Sequence, residues 1–261
     1  MKSNSPFDWH NIDHLSVSTI NAWIADPAQI LYKFSGGQDD YGPSAWRGNA
    51  CESAFYQVAM EDAPSPLKTI HTIAEQEYDK LDSGGFAQAK VEKERGYLPS
   101  YINAGIEHFR QLGVPSSYQR KIYVEFEELE VPFIGYVDFE YGELGKSHQI
   151  RDCKTSVRRM THLTNAHCRQ LALYGHAIGD EKTELWIDSV SKTEIIKLRL
   201  SNPKPYLREV IKTALGLRKF LSMSSDLEEL RSMIRPDLDD WRWGNENTQK
   251  QAKKIWEIKY E

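Results

Sequence analysis

The chain predicts an α/β fold, a central sheet flanked by helices, and three observations predict it. Val, Ile, Phe and Tyr alternate with polar residues at about 120–128, 131–141 and 148–154, the period-two pattern of half-buried strands. A helical stretch at 162–178 precedes two more strand-like runs, 184–190 and 193–200, which form a hairpin around Ser191-Lys192. Helical sequence also leads the strands, at 16–33, at 49–60 and in pieces over 67–112.

Taken in order, each element has a local reason. Ser16 or Ser18 can cap the first helix, whose Ile20, Trp23 and Ile24 fall on one face, and Pro27 bends it. The run from Gly36 to Pro43 is a loop, and a second helix starts after Gly48. Ser83-Gly84-Gly85 and Pro99 interrupt the helical segment 67–112. Gly142 and Gly145 turn the chain between the second and third strands, and Pro203 and Pro205 open a last long helix to about residue 222. No internal repeat or low-complexity linker is visible. The expectation is one domain, 1–261, with the helical segment 67–112 and a C-terminal tail 223–261.

The chemistry concentrates in residues 133–156. Asp138 lies in the run Ile134-Gly135-Tyr136-Val137-Asp138-Phe139, and the next strand ends in Asp152-Cys153-Lys154, fourteen residues on. Alternation puts Asp152 and Lys154 on one face and Cys153 on the other. An antiparallel neighbour brings Asp138 to the same face. Two carboxylates and a lysine are the minimum for holding a divalent cation and orienting a water near a phosphate. A solvated hairpin with a surface ion pair would use the same residues.

This stretch resembles the PD-(D/E)xK nuclease superfamily, and three further segments resemble it in the same chain order. Trp46-Arg47-Gly48-Asn49-Ala50-Cys51-Glu52 looks like the RG-x-x-x-E element of the lambda-type and RecB-type branches, where the glutamate is a further metal ligand. Cys51 stands where RecB-type relatives often carry histidine. His167-Cys168-Arg169-Gln170-Leu171-Ala172-Leu173-Tyr174 looks like the Q-x-x-x-Y helix, with Gln170 and Tyr174 on one face. Leu15-Ser16-Val17-Ser18 resembles the opening of RecB-type domains, with Asp26-Pro27 in the place of Cys-Pro. The resemblance covers residues 15–174. It implies a restriction-endonuclease-like core with additional N-terminal and C-terminal helices.

By that resemblance, Mg²⁺ or Mn²⁺ would be held by Glu52, Asp138, Asp152 and the backbone carbonyl of Cys153, with Lys154 acting on the water or the phosphate. Gln170 and Tyr174 would support the lysine and the DNA backbone. Arg47, Ser16, Ser18, Arg158 and Arg159 are the remaining expected DNA-side residues. The implied activity is a DNA exonuclease, most like phage-encoded enzymes of replication, recombination or host DNA degradation. A structure-selective or nonspecific endonuclease and a noncatalytic nucleic-acid-binding module are the alternatives. The partner is single- or double-stranded DNA. Ring-forming trimers occur in the lambda-type branch, which leaves room for a homo-oligomer.

Composition narrows the rest. At 261 residues and 40% hydrophobic, the chain can bury one sizeable core. No apolar run approaches membrane length and the start is polar, so the expected location is cytoplasmic, the host cytoplasm if phage-encoded, with no membrane partner. Three cysteines without C-x-x-C spacing suit a reducing compartment and count against an iron–sulfur cluster, which takes four. They read as buried small hydrophobes. The net charge of −5 permits DNA binding only through a confined basic groove, with Lys154, Arg158, Arg159 and Arg169 near the triplet and Arg47 at the RG element. Lys90, Lys93 and Arg95, mixed with Glu92 and Glu94, read as a solvated helix face. In the tail, Trp241-Arg242-Trp243 and the lysines after it could stack bases, but docking, on the chain's own core or on a neighbouring subunit, is the expected role.

Overall fold

The computed structural model describes residues 5–37, 42–61, 63–82 and 84–258. In chain order it has α1 (Pro6–Trp9), α2 (Val17–Ala25), α3 (Pro27–Phe34), α4 (Pro43–Ala59), α5 (Leu67–Leu81), α6 (Gln88–Gly96) and α7 (Leu98–Leu112). Strands β1 (Ser117–Val124), β2 (Phe133–Tyr141) and β3 (Gln149–Thr155) follow, then α8 (Asn165–Ile178), β4 (Glu184–Val190) and β5 (Ile195–Leu200). After them come α9 (Lys204–Leu221), α10 (Leu227–Ser232), a 3-10 turn at Trp241–Trp243 and α11 (Glu246–Ile255). The strands form one mixed sheet in the order β1-β2-β3-β4-β5. β2 and β3 are antiparallel, β3 and β4 parallel through the α8 crossover, and β4 and β5 antiparallel. This is the α/β class that the alternation predicts. Among the described residues no helix is long and apolar enough to cross a membrane.

The chain gathers into two compact units. The first takes the described residues of Met1–Asp40, Ile122–Gly135 and Lys204–Glu261. Here the expected bent helix is two helices: Asp26 ends α2 and caps α3, accepting from the Ala28 N–H at 3.1 Å, with Pro27 opening α3. Ser16 caps α2 through the Thr19 N–H at 3.1 Å. Leu15 pairs with the start of β2, its N–H on the Pro132 carbonyl at 2.9 Å. The tail docks, as expected, through Trp243. That indole is 1% exposed, donates to Asp26 at 2.9 Å and meets Tyr32 edge-on. Trp241 is the exception, 79% exposed with Arg242 over its ring.

The second unit takes Tyr41–Lys121 and Tyr136–Pro203, and it carries every acidic residue of the expected site. α4 begins at Pro43 rather than after Gly48. The expected loop from Gly36 to Pro43 includes residues 38–41, outside the described residues, and so is Ser83 of the expected break in 67–112. The expected interruption at Pro99 falls at Tyr97, between α6 and α7, and Pro99 sits in the first turn of α7, where a missing N–H costs nothing. α4, α5 and α7 pack through Phe55, Ile70, Tyr78 and Phe109, with Phe55 and Phe109 stacked at 4.4 Å. Phe139, Tyr141 and Cys153 join that core from the sheet, one inward residue in two. Each fully buried phenylalanine contributes about 1.5–3 kcal/mol by leaving water. On α8, Gly175 allows a close approach to the sheet, because a Cβ there would meet Leu185 Cδ1 at 2.9 Å. In the β2–β3 turn Gly142 has φ 76°, and a Cβ on it would strike the Ser147 carbonyl at 2.3 Å. All three cysteines are free and buried.

Candidate active site

β2 and β3 part at the two aspartates. Their pairing runs Tyr141↔Gln149, Glu140↔Ile150, Phe139↔Arg151, so one further step sets Asp138 opposite Asp152. At that step a side chain replaces the ladder: the Cys153 N–H donates to Asp138 Oδ2 at 3.0 Å. β3 continues alongside β4, Asp152 beside Ile187 and Lys154 beside Ser189. The fork leaves Asp138, Asp152 and Lys154 together, and α4 adds Glu52.

Three carboxylates and one ammonium make a charge set that is short of positive charge. Lys154 Nζ lies 2.5 Å from Asp152 Oδ2. The other Asp152 oxygen accepts from Gln170 Nε2 at 2.9 Å, and the same nitrogen reaches the Tyr174 hydroxyl at 3.0 Å. The Q-x-x-x-Y pair therefore holds the aspartate that holds the lysine. Burial raises the Asp138 carboxyl well above its usual value, and the charges of Asp152 and Glu52 raise it further. Burial likewise raises Glu52, with Asp152 adding to it and a hydrogen bond from Gln119 opposing. Burial works against the Lys154 charge, but Asp152 and Asp138 outweigh it, and its pKa lies above the ordinary lysine value. In this arrangement Asp152 and Asp138 hold Lys154 in its charged form.

Two residues of the site carry no signal in the sequence reading. Gln119, on β1, donates from Nε2 to Glu52 Oε1 and lies 3.4 Å from Asp138 Oδ1. Tyr118 stacks on Tyr56 with ring centres 3.9 Å apart and hydrogen-bonds Glu52. A third residue, His167, feels the charges of both Asp152 and Lys154, and burial lowers its pKa. Here a signal existed: His167 precedes Gln170 by three and Tyr174 by seven, one helical stripe.

The basic residues divide. Arg47, expected on the DNA side, is 2% exposed; its guanidinium pairs with Glu94, lies over the Tyr101 ring and donates to Thr155 Oγ1 at 3.3 Å. It fastens α4 to α6 and to the end of β3, so Glu94 is not part of a solvated face. Gly48 serves the same junction, since a Cβ there would sit 3.4 Å from Thr155 Oγ1. Arg169 is buried as well. Arg158 and Arg159 are exposed, Arg159 3.3 Å from Glu194. Ser16 and Ser18 lie in the first unit, where Ser16 caps α2 and its hydroxyl meets that of Ser18 at 2.7 Å.

The donor set fits a hard divalent cation: oxygen ligands, mostly buried, with surplus negative charge. Among the described residues no three His, Cys, Asp or Glu side chains already stand grouped as a metal set. Gln119 lies between Glu52 and Asp138, and Lys154 engages Asp152.

Neither a protein-family model nor a curated protein sequence matches the chain. Among solved structures it is similar to one named "Putative exonuclease" from Eubacterium rectale, at 13% identity and a TM-score of 0.52, over 87% of this chain and 88% of that one. The likeness is one of fold. The structure of SSO0001 is similar at 9% identity and a TM-score of 0.33, over 64% of this chain and 84% of that one.

Proposed function

We propose that this protein is a Mg²⁺- or Mn²⁺-dependent deoxyribonuclease, an exonuclease acting in phage DNA replication, recombination or host DNA degradation. The observation that carries the reading is the meeting of Glu52, Asp138, Asp152 and Lys154 where β2 and β3 part. Sharing a fold with a structure named as an exonuclease supports it.

Glu52, Asp138, Asp152 and the Cys153 carbonyl would hold the cation, which supplies Lewis acidity toward the phosphate and lowers the pKa of a bound water. Lys154, kept charged by its aspartates, offers a fixed positive group to the phosphate oxygens as negative charge develops on them. Gln170 fixes the Asp152 carboxylate, and through it the lysine. Asp138 is fixed by the β3 backbone. These side chains stand on strands and helices rather than on loops.

Digestion of end-labelled single- and double-stranded DNA with Mg²⁺, followed over time on a gel, tests the reading. Progressive loss of nucleotides from ends is expected, and the label shows polarity and strand preference. Cutting of circular DNA would assign the same site to an endonuclease. No metal-dependent cleavage of either strand form would leave a binding module.

A further inference from the structure

Taking Glu52, Asp138 and Asp152 as the cation's ligands, an assignment on which this inference rests, we propose that Gln119 belongs to the same cation site. Its amide nitrogen bridges Glu52 and Asp138, and its amide oxygen would turn toward a bound cation.

Gln119 reaches the site by an irregular backbone. Its φ is 50°, the left-handed region that a non-glycine residue seldom adopts, within edge strand β1. A regular strand would send Tyr118 and Gln119 to opposite faces. Instead both reach Glu52. Gln119 and Arg120 likewise both reach β2 carboxylates two residues apart: Gln119 meets Asp138, and Arg120 Nε lies 2.5 Å from Glu140 Oε1. Asp138 and Glu140 share a face, so the side-chain alternation of β1 fails at Gln119. Such a kink re-aims one side chain, here into the acidic cluster.

The chemistry of the amide accounts for the rest. Glu52 and Asp138 repel one another, and only a donor or a cation can occupy the space between them at low cost. The NH₂ group of glutamine serves as the donor. Its carbonyl oxygen has nearly the same size and is an acceptor, so a half-turn about the last side-chain bond exchanges one for the other without new room. No motif of the chain points to this residue.

Mn²⁺ titration of the full chain without DNA, read by the electron paramagnetic resonance of free Mn²⁺ and by thermal melting, tests the proposal. Wild type should bind saturably. Gln119→Glu, which makes the oxygen ligand permanent and charged, should bind about tenfold more tightly, and Gln119→Leu about tenfold more weakly. Equal or tighter binding by Gln119→Leu would show that the amide merely blocks the site, and the proposal would fall alone. Should Gln119→Leu not fold, Gln119→Glu decides, because affinity no better than wild type overturns the proposal. If Asp138→Ala and Asp152→Ala bind like wild type, the ligand assignment itself fails, and Gln119's role with it.

Discussion

Two buried acidic clusters lie side by side in this protein and are built in opposite ways. Arg151 and Asp152 are neighbours on β3 and face opposite sides of the sheet. On one side Arg151 forks onto Asp188, both contacts at 2.7 Å, and His108 Nε2 stands 3.2 Å from the same carboxylate. Burial alone would raise the Asp188 carboxyl, but hydrogen bonds from His108 and Arg151 outweigh it and hold it below its usual value. On the other side three carboxylates share Lys154 and an uncharged amide, and two of them are raised. One cluster is complete within the chain. The other keeps a surplus of carboxylates over cations, and under the proposed function a divalent cation would supply the missing positive charge.

The widest separation between them should come from deletion. Asp188→Ala leaves the Arg151 guanidinium buried without its partner and should cost about 3–5 kcal/mol in urea unfolding. A loss under 1 kcal/mol would erase the structural half of the contrast. Asp138→Ala or Asp152→Ala should lower metal-dependent cleavage by about 1,000-fold while circular dichroism shows an intact fold. Near wild-type turnover in either variant would remove the metal assignment. Lys154→Ala comes next, with cleavage falling by about 100-fold and the salt slope of DNA binding by about one unit at most. Equal losses of rate and affinity would make Lys154 an ordinary phosphate contact.

The smallest effect concerns pH, and its sign differs between the clusters. Raised folded-state values for Asp138 and Glu52 mean that the stability tied to their protonated forms is complete below their ordinary 3.8 and 4.5, and is lost as pH rises through the folded values. Asp188 is the reverse: its contribution is present above 3.8 and is lost as pH falls through its lowered value. Melts in EDTA should therefore find Asp138→Asn more stable than wild type at neutral pH, with the gap closing in acid. Asp188→Asn should be less stable at neutral pH, and its gap should also close in acid. A destabilised Asp138→Asn at neutral pH would show that the site, too, is balanced internally.

Much of this was legible in the residues because two periodicities fix it. Alternation placed Asp152 and Lys154 together, and the glycine turn at 142–145 fixed the register that brings Asp138 opposite. Glu52 was reachable only through the order of motifs, since nothing in a helix heading states which strand it meets. Arg47 is expected on the DNA side and is found on Glu94, because an arginine's charge does not say whether its partner is a phosphate or a carboxylate. A glycine reads as a boundary, which is why the second helix is expected only after Gly48, whereas Gly48 lies inside α4 as the residue small enough to pass Thr155. Gln119 was invisible because period-two reasoning assumes a regular backbone, and a left-handed residue breaks that assumption.

The carboxylate of Asp138 divides its work between its two oxygens. Oδ2 closes the seam that the β3 backbone leaves open, and Oδ1 alone turns to Gln119 and the cluster. Architecture and chemistry are thereby joined by one short, rigid lever, whose aim is set by a peptide N–H that no substitution except proline can delete. Lengthening the lever by a single methylene, in Asp138→Glu, keeps the charge and the acidity yet moves the free oxygen off target. A change that is mild by every compositional measure would then disable the site as surely as removing the carboxylate.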